Sequence, residues 1–217
     1  MLAVTPGDPG AVLRPEVNVV VSSRRAGAPP GLQHALRALP EWSRNVTARR
    51  SELPAAAASL LEPLRSLELR AALHGQLVDI AREYCDVLGY SEVEASLELI
   101  KGVTCPRFHA DSVEVRCLCT LCGPGTLWVE DRHVDRARLR SLPHGDPVGW
   151  SAITHPSAVQ AAAPGEVLYL KGSRYPGAEG RGAVHRSPDA DPSTPRLLLK
   201  LDDPRAGACA AGCTHRH

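Results

Sequence analysis

Val93-Glu94-Ala95-Ser96-Leu97-Glu98-Leu99-Ile100 decides how the chain is to be read. Val93, Ala95, Leu97 and Leu99 fall on one side of an extended chain, and Glu92, Glu94, Ser96 and Glu98 on the other. A period of two is that of a strand with one apolar face. The stretch marks a change of character. Downstream of it, Val113–Leu121, Val167–Leu170 and Leu197–Leu201 are further strand candidates. Gly123-Pro124-Gly125, Pro143-His144-Gly145-Asp146-Pro147, Pro164-Gly165-Glu166 and Gly180-Arg181-Gly182 lie between them as turns. Short strands separated by Gly/Pro turns predict an antiparallel barrel over residues 91–203, a double-stranded β-helix of the jelly-roll, cupin-like kind.

Upstream, the period lengthens. Leu69, Leu73, Leu77, Ile80, Tyr84 and Leu88 recur every three or four residues, and Gly89 follows as a stop. Leu60, Leu61, Leu64 and Leu67 line the helix before it, with Ser51 as its cap and Pro54 in its first turn. Leu32, Leu36 and Leu39 share a face of a first helix that Pro40 ends. Residues 31–90 are therefore expected to be helical and to pack on the outside of the sheet, giving an α+β domain over 31–203. Residues 1–30, rich in Pro, Gly, Ala and Arg, predict weak order apart from a strand at Val17–Val21. Residues 204–217 read as a flexible tail.

The whole chain sets bounds. It has 217 residues, 43% of them hydrophobic and only 4% aromatic, so aliphatic side chains must fill its core. A formal charge of +1 suggests neither a nucleic-acid surface nor an acidic tail, and the arginines of Arg44–Arg50 read as solvated surface. The first ten residues have no apolar signal region, and no run is long enough to span a membrane. The expectation is a cytoplasmic protein with reduced thiols, its seven cysteines being an odd number.

Arg107-Phe108-His109-Ala110-Asp111 carries the chemistry. On a strand His109 and Asp111 point to one side, so an imidazole nitrogen and a carboxylate oxygen can reach one cation. A second imidazole completes a facial triad, which leaves positions open for a cosubstrate and dioxygen on Fe(II). His185, in Gly182-Ala183-Val184-His185-Arg186-Ser187-Pro188, is the candidate. Arg196 follows it at the start of Leu197-Leu198-Leu199, where a guanidinium can take the distal carboxylate of a dicarboxylate through two parallel hydrogen bonds. The alternative is a hydrogen-bonded His109–Asp111 pair at a strand edge, with His185 at a turn.

Several blocks also carry a resemblance. Cys105-Pro106-Arg107-Phe108-His109-Ala110-Asp111, Arg116-Cys117-Leu118-Cys119-Thr120 and Gly123-Pro124-Gly125-Thr126-Leu127-Trp128 are similar to the bacterial DUF1826 family. Leu170-Lys171-Gly172, His185–Pro188 and Arg196–Asp202 extend the match, which covers roughly residues 30–203. Leu121 and Leu127 depart from the family, which often has an aromatic and an acidic residue there. The order His-x-Asp, His, Arg resembles that of 2-oxoglutarate oxygenases, an analogy of motif alone. The resemblance implies that His109, Asp111 and His185 hold Fe(II), that Arg196 anchors 2-oxoglutarate, and that Lys171 or Thr120 assists. Trp128 and residues 123–126 would then shape the mouth of the site; the alternative for Trp128 is a buried anchor on the strand after a turn.

Other clusters compete. Cys117, Cys119 and Cys122 suit Zn(II), but strand parity puts Cys122 on the opposite face, and small core cysteines explain them better. Cys209, Cys213, His215 and His217 have a metal-binding composition. His133 and Asp135 repeat the His-x-Asp spacing within a charged stretch that reads as solvated. No phosphate loop and no Gly-x-Ser-x-Gly elbow occurs, and Cys105 is a weak candidate nucleophile for lack of an assured partner. Three functions remain: an Fe(II)/2-oxoglutarate-type oxygenase of a small-molecule or peptide substrate, a non-catalytic metal-binding protein of zinc or iron homeostasis, and a plain β domain without metal.

Overall fold

The computed structural model describes residues 1–4, 6–23, 27–189 and 191–205. The chain runs through β1 (Leu2–Val4), β2 (Val17–Ser22), α1 (Leu32–Arg37), β3 (Trp42–Arg49), α2 (Leu53–Leu60), α3 (Leu67–Leu88), β4 (Glu92–Ile100) and β5 (Val115–Cys122). It continues through β6 (Leu127–Val129), α4 (Arg136–Arg140), β7 (Gln160–Ala161), β8 (Val167–Lys171), β9 (Val184–Arg186) and β10 (Arg196–Asp202). Seven strands form a large sheet in the order β1-β2-β8-β5-β10-β4-β3, and three form a small one in the order β7-β6-β9. Every pairing is antiparallel except β1 with β2. The fold is mixed α/β with a large, mostly antiparallel sheet.

The alternation read from β4 is the alternation of two apolar layers. Val93, Ala95, Leu97 and Leu99 join Leu73, Leu77, Ile80 and Tyr84 of α3 in one core. Ile100, Leu118, Leu168, Leu170 and Leu198 form a second core with Trp128 and Ala183, between the large sheet and the small one. A third cluster, Phe108, Val129, Ile153 and Val184, closes the far side of the small sheet. The helix α3 is set as its sequence predicts. Ser66 Oγ accepts from Leu69 N at 3.2 Å at its start, and Gly89, at φ 69°, ends it. The Tyr84 hydroxyl donates to Val115 O at 2.8 Å and so ties α3 to β5.

The sequence reading is corrected in three places. Trp42–Arg49, inside the stretch expected to be helical, is the edge strand β3. Its outward residues Ser43, Asn45 and Thr47 are exposed, and Arg44 interrupts the inward set, so the period of two is masked. The helix α2 starts after a 3-10 turn at Arg50–Glu52, without a side-chain cap from Ser51. Residues 2–4 and 9–13, where weak order was expected, form β1 and a 3-10 turn with Ala11 and Val12 buried. The β2 strand stands where Val17–Val21 predicted it.

Candidate metal centre

The short strand β9 brings the three ligand candidates together. On one side it pairs with β6, with Trp128 opposite His185. On the other, His109 and His185 face each other as an antiparallel pair. His109 N donates to His185 O at 3.1 Å, and His185 N donates to His109 O at 3.0 Å. Directly opposed residues share a face of a sheet, so the rings meet with centroids 4.6 Å apart. Asp111, two residues on from His109, joins them. One ligand atom from each of the three residues lies within 4.8 Å of the others.

Two glycines leave room for this segment. A Cβ on Gly172 would stand 2.2 Å from Val113 O and 2.8 Å from Asp111 O, and one on Gly182 would stand 3.0 Å from Ala110 Cβ. Ser173 N then donates to Asp111 O at 2.8 Å. The backbone of Asp111 is held where only glycine fits beside it.

The rings are oriented by their own backbone. Nδ1 of His109 lies 2.8 Å from Arg107 O, and Nδ1 of His185 lies 3.2 Å from Ala183 O. A carbonyl only accepts, so each Nδ1 carries the hydrogen and each Nε2 of a neutral ring presents its lone pair. Those lone pairs face a carboxylate: His109 Nε2 is 3.4 Å from Asp111 Oδ1, and His185 Nε2 is 3.1 Å from Asp111 Oδ2. Asp111 Oδ2 is buried and has no hydrogen-bond partner of acceptable geometry among the described residues. Three acceptors converging with one left unsatisfied call for a cation. The spacings are close to the roughly 3 Å between adjacent ligand atoms bound to one ion at about 2.1 Å. This donor set fits Fe(II).

Asp111 is also held from behind. Arg116 Nη1 lies 2.8 Å from Asp111 Oδ1, while its Nε and Nη2 donate to the two oxygens of Asp202, each at 2.8 Å. Burial pushes the Asp111 carboxyl up, but the charge of His185, the contact with His109 and the Arg116 guanidinium together hold it well below the usual carboxylate range. Burial pulls the His109 imidazole down, yet the Asp111 carboxylate and the Arg107 carbonyl outweigh it and leave the net shift upward.

Arg196 opens β10 and is 5% exposed. Its Nε donates to Thr120 Oγ1 at 3.2 Å, and its Nη2 donates to Thr126 Oγ1. No ion pair to it occurs among the described residues, and burial brings its pKa down to about 10. Thr120 and Arg116 stand four residues apart on one face of β5, about 13 Å along a strand, with Leu118 between them. The guanidinium of Arg196 and the triad thus lie along one interior surface.

Not every candidate is brought there. Lys171 shares its face of β8 with Val167 and Tyr169, which belong to the helix-side core. Its Nζ donates to Arg14 O at 2.7 Å and sits over the Tyr175 ring, so the structure places Lys171 away from the triad. Trp128 is a buried anchor between the sheets, 2% exposed, rather than part of a mouth. Leu121 belongs to the helix-side core, so its departure from the family's aromatic does not reach the triad.

The cysteine trio differs from its parity reading. Leu197 pairs with Cys122 and Leu198 with Thr120, so Leu121 bulges. Cys117, Cys119 and Cys122 consequently all enter the helix-side core, and Cys122 Sγ lies 2.8 Å from Gln33 Oε1. Asp135 caps α4 through Ala137 N and Arg138 N, which occupies the second His-x-Asp pair structurally. His109, Asp111 and His185 form the one group of this kind found among the described residues. Cys209, Cys213, His215 and His217 lie outside the described residues. Sequence reasoning gave Arg116 no role, and it took Thr126 only as the end of a loop at the mouth of the site. An arginine inside the apolar run of β5 was the available signal for the first; nothing in the sequence pointed from Thr126 to Arg196.

The model of the family described as "Protein of unknown function (DUF1826)" matches residues 5–202. The chain belongs to the DUF1826 family. No curated protein matches this chain. Among solved structures, a rice dioxygenase for auxin oxidation is similar at 16% identity over 93% of this chain and 82% of its own, with a TM-score of 0.46. A Burkholderia pseudomallei oxidoreductase of the 2OG-Fe(II) oxygenase family is similar at 16% identity over 93% of each chain, with a TM-score of 0.42. The Fe(II)/α-ketoglutarate-dependent dioxygenase TqaL is similar at 14% identity over 81% of this chain and 75% of its own, with a TM-score of 0.41.

Proposed function

We propose that this DUF1826 protein is an Fe(II)- and 2-oxoglutarate-dependent oxygenase, a hydroxylase built in a jelly-roll barrel with its helices on the outer face. The observation that carries the reading is the convergence of two pre-oriented imidazole Nε2 atoms on a carboxylate with a buried, unsatisfied oxygen. His109, Asp111 and His185 would hold the metal, and Arg116 keeps the carboxylate turned toward it from the second layer. Arg196, a buried cation whose guanidinium donates to two hydroxyls and has no ion pair among the described residues, would receive the far carboxylate of 2-oxoglutarate. Thr120 and Thr126 fix its fork in the meantime. When bound, Fe(II) would let O2 act as the oxidant: 2-oxoglutarate would give up two electrons, lose CO2 and take one oxygen atom to become succinate, and the other oxygen atom would enter a C–H bond of the substrate.

A protein that only stores metal has no use for a buried guanidinium without an ion pair among the described residues, so Arg196 favours an enzyme over a metal-homeostasis protein. No helix among the described residues is long and apolar enough to cross a membrane, and we read the protein as cytoplasmic. The test is anaerobic Fe(II) titration with and without 2-oxoglutarate. A weak visible charge-transfer band that needs both components is expected. Its absence in folded, iron-loaded protein would remove the oxygenase reading.

A further inference from the structure

A cavity of about 310 Å³ opens beside the triad, and His109 forms part of its wall. Its other lining residues include Arg107, Phe108, Arg136, Leu139 and Arg140, and no aspartate or glutamate. Arg136 is committed to the scaffold: it pairs with Asp131 at 2.5 Å and donates to Gly182 O at 2.8 Å, which ties α4 to the loop before β9. Arg140, one helical turn on, lies near it on the same side of α4. Arg140 and Arg107 are exposed, and neither has a carboxylate partner among the described residues. Two like charges at this spacing repel one another slightly, and here a third cation faces the same space. Ala110 and Leu139 give the same wall an apolar surface.

We propose that this cavity is the substrate site and that it takes a small molecule carrying a carboxylate or phosphate group. Arg107 and Arg140 bind the anionic group, and the apolar wall at Ala110 and Leu139 takes the carbon frame. The volume is at the lower end of small-ligand sites, which fits a metabolite. Oxygen insertion at this substrate rests on the oxygenase reading; the anion site itself does not. With its anionic end held among the arginines, a ligand of this size presents its remainder to His109 and the triad behind it.

The test uses metal-free, full-length protein without 2-oxoglutarate and two small aromatic anions, phenyl phosphate and benzoate, followed by calorimetric titration. Saturable binding of at least one is expected. The Arg107→Ala/Arg140→Ala double variant should weaken it by about tenfold or more, since two charge-assisted contacts are lost. Binding of phenyl phosphate alone assigns a phosphate ester; binding of benzoate alone assigns a carboxylate. Failure of the wild type to bind either anion overturns the proposal, as does unchanged affinity in the double variant. Should the double variant misfold, the single exposed Arg140→Gln variant gives the same comparison. Since no metal is present, a failed iron titration leaves this result standing, and the reverse also holds.

Discussion

Replacing Arg196 by methionine separates the cost of this residue from its use. Burial brings its pKa from 12.5 to about 10, so keeping the charge inside costs roughly 3 kcal/mol. Against this stand two hydrogen bonds from a charged donor to Thr120 and Thr126, roughly 1.5–3 kcal/mol each. Methionine removes both the cost and the bonds, and it leaves two hydroxyls to find other partners. The opposing contributions are of similar size, so the metal-free variant should differ from wild type by no more than about 2 kcal/mol, a few degrees in Tm for a chain of this length. The effect on 2-oxoglutarate is one-sided. Truncating one partner of a buried, hydrogen-bonded charge pair costs about 2–5 kcal/mol, so the Kd for 2-oxoglutarate should rise about 30-fold or more. Calorimetric melting reads the first quantity, and anaerobic titration of 2-oxoglutarate into iron-loaded protein reads the second. A folded variant whose Kd stays within about threefold of wild type would show that Arg196 is not the anchor.

Three further outcomes follow from the same geometry. Arg116→Lys removes the fork that holds Asp111 and Asp202 together, and it should cut Co(II) affinity about 10- to 100-fold while the fold persists; unchanged affinity and an unchanged Co(II) spectrum would refute a positioning role. Gly172→Ala forces a Cβ against Val113 O and Asp111 O, and should both destabilise the protein by roughly 1–3 kcal/mol and weaken Co(II) binding; a variant with wild-type melting and affinity would mean that the 107–111 segment is not fixed in this way. The upward shift at His109 means that metal displaces a proton from it, so Co(II) affinity should fall as pH drops below the His109 pKa. Asp111, already ionised throughout that range, adds no slope. By the same shift the metal-free protein gains stability from the protonated imidazole at low pH and loses it as pH rises through the His109 pKa. Co(II) titrations and melts at several pH values test both signs, and a flat affinity profile would exclude His109 as a ligand.

The period of two in Val93–Ile100 and the three-to-four spacing of Leu69–Leu88 are local signals, set by backbone geometry alone. They placed β4, α3 and the division between helix-side and interior residues. They failed at β3, because an edge strand exposes one face and Arg44 breaks the other, so the alternation of polarity is lost there. The parity argument failed at Cys122 for a different reason. One bulged residue, Leu121, reverses every face beyond it, and nothing in a run of Leu and Cys announces a bulge.

The site divides along the same line. The sequence by itself determined the chemistry available: a His-x-Asp pair whose spacing puts both groups on one side, a later histidine and a later arginine. Only the tertiary structure decided that His109 and His185 face each other across one antiparallel pair, that Arg116 stands behind Asp111, and that Lys171 turns to the other face of the large sheet. Spacing within a strand fixes direction because each residue rotates the side chain by a set amount. Which strands become neighbours, and in what register, depends on the burial of two whole apolar layers at once, and no short stretch of the chain contains that information.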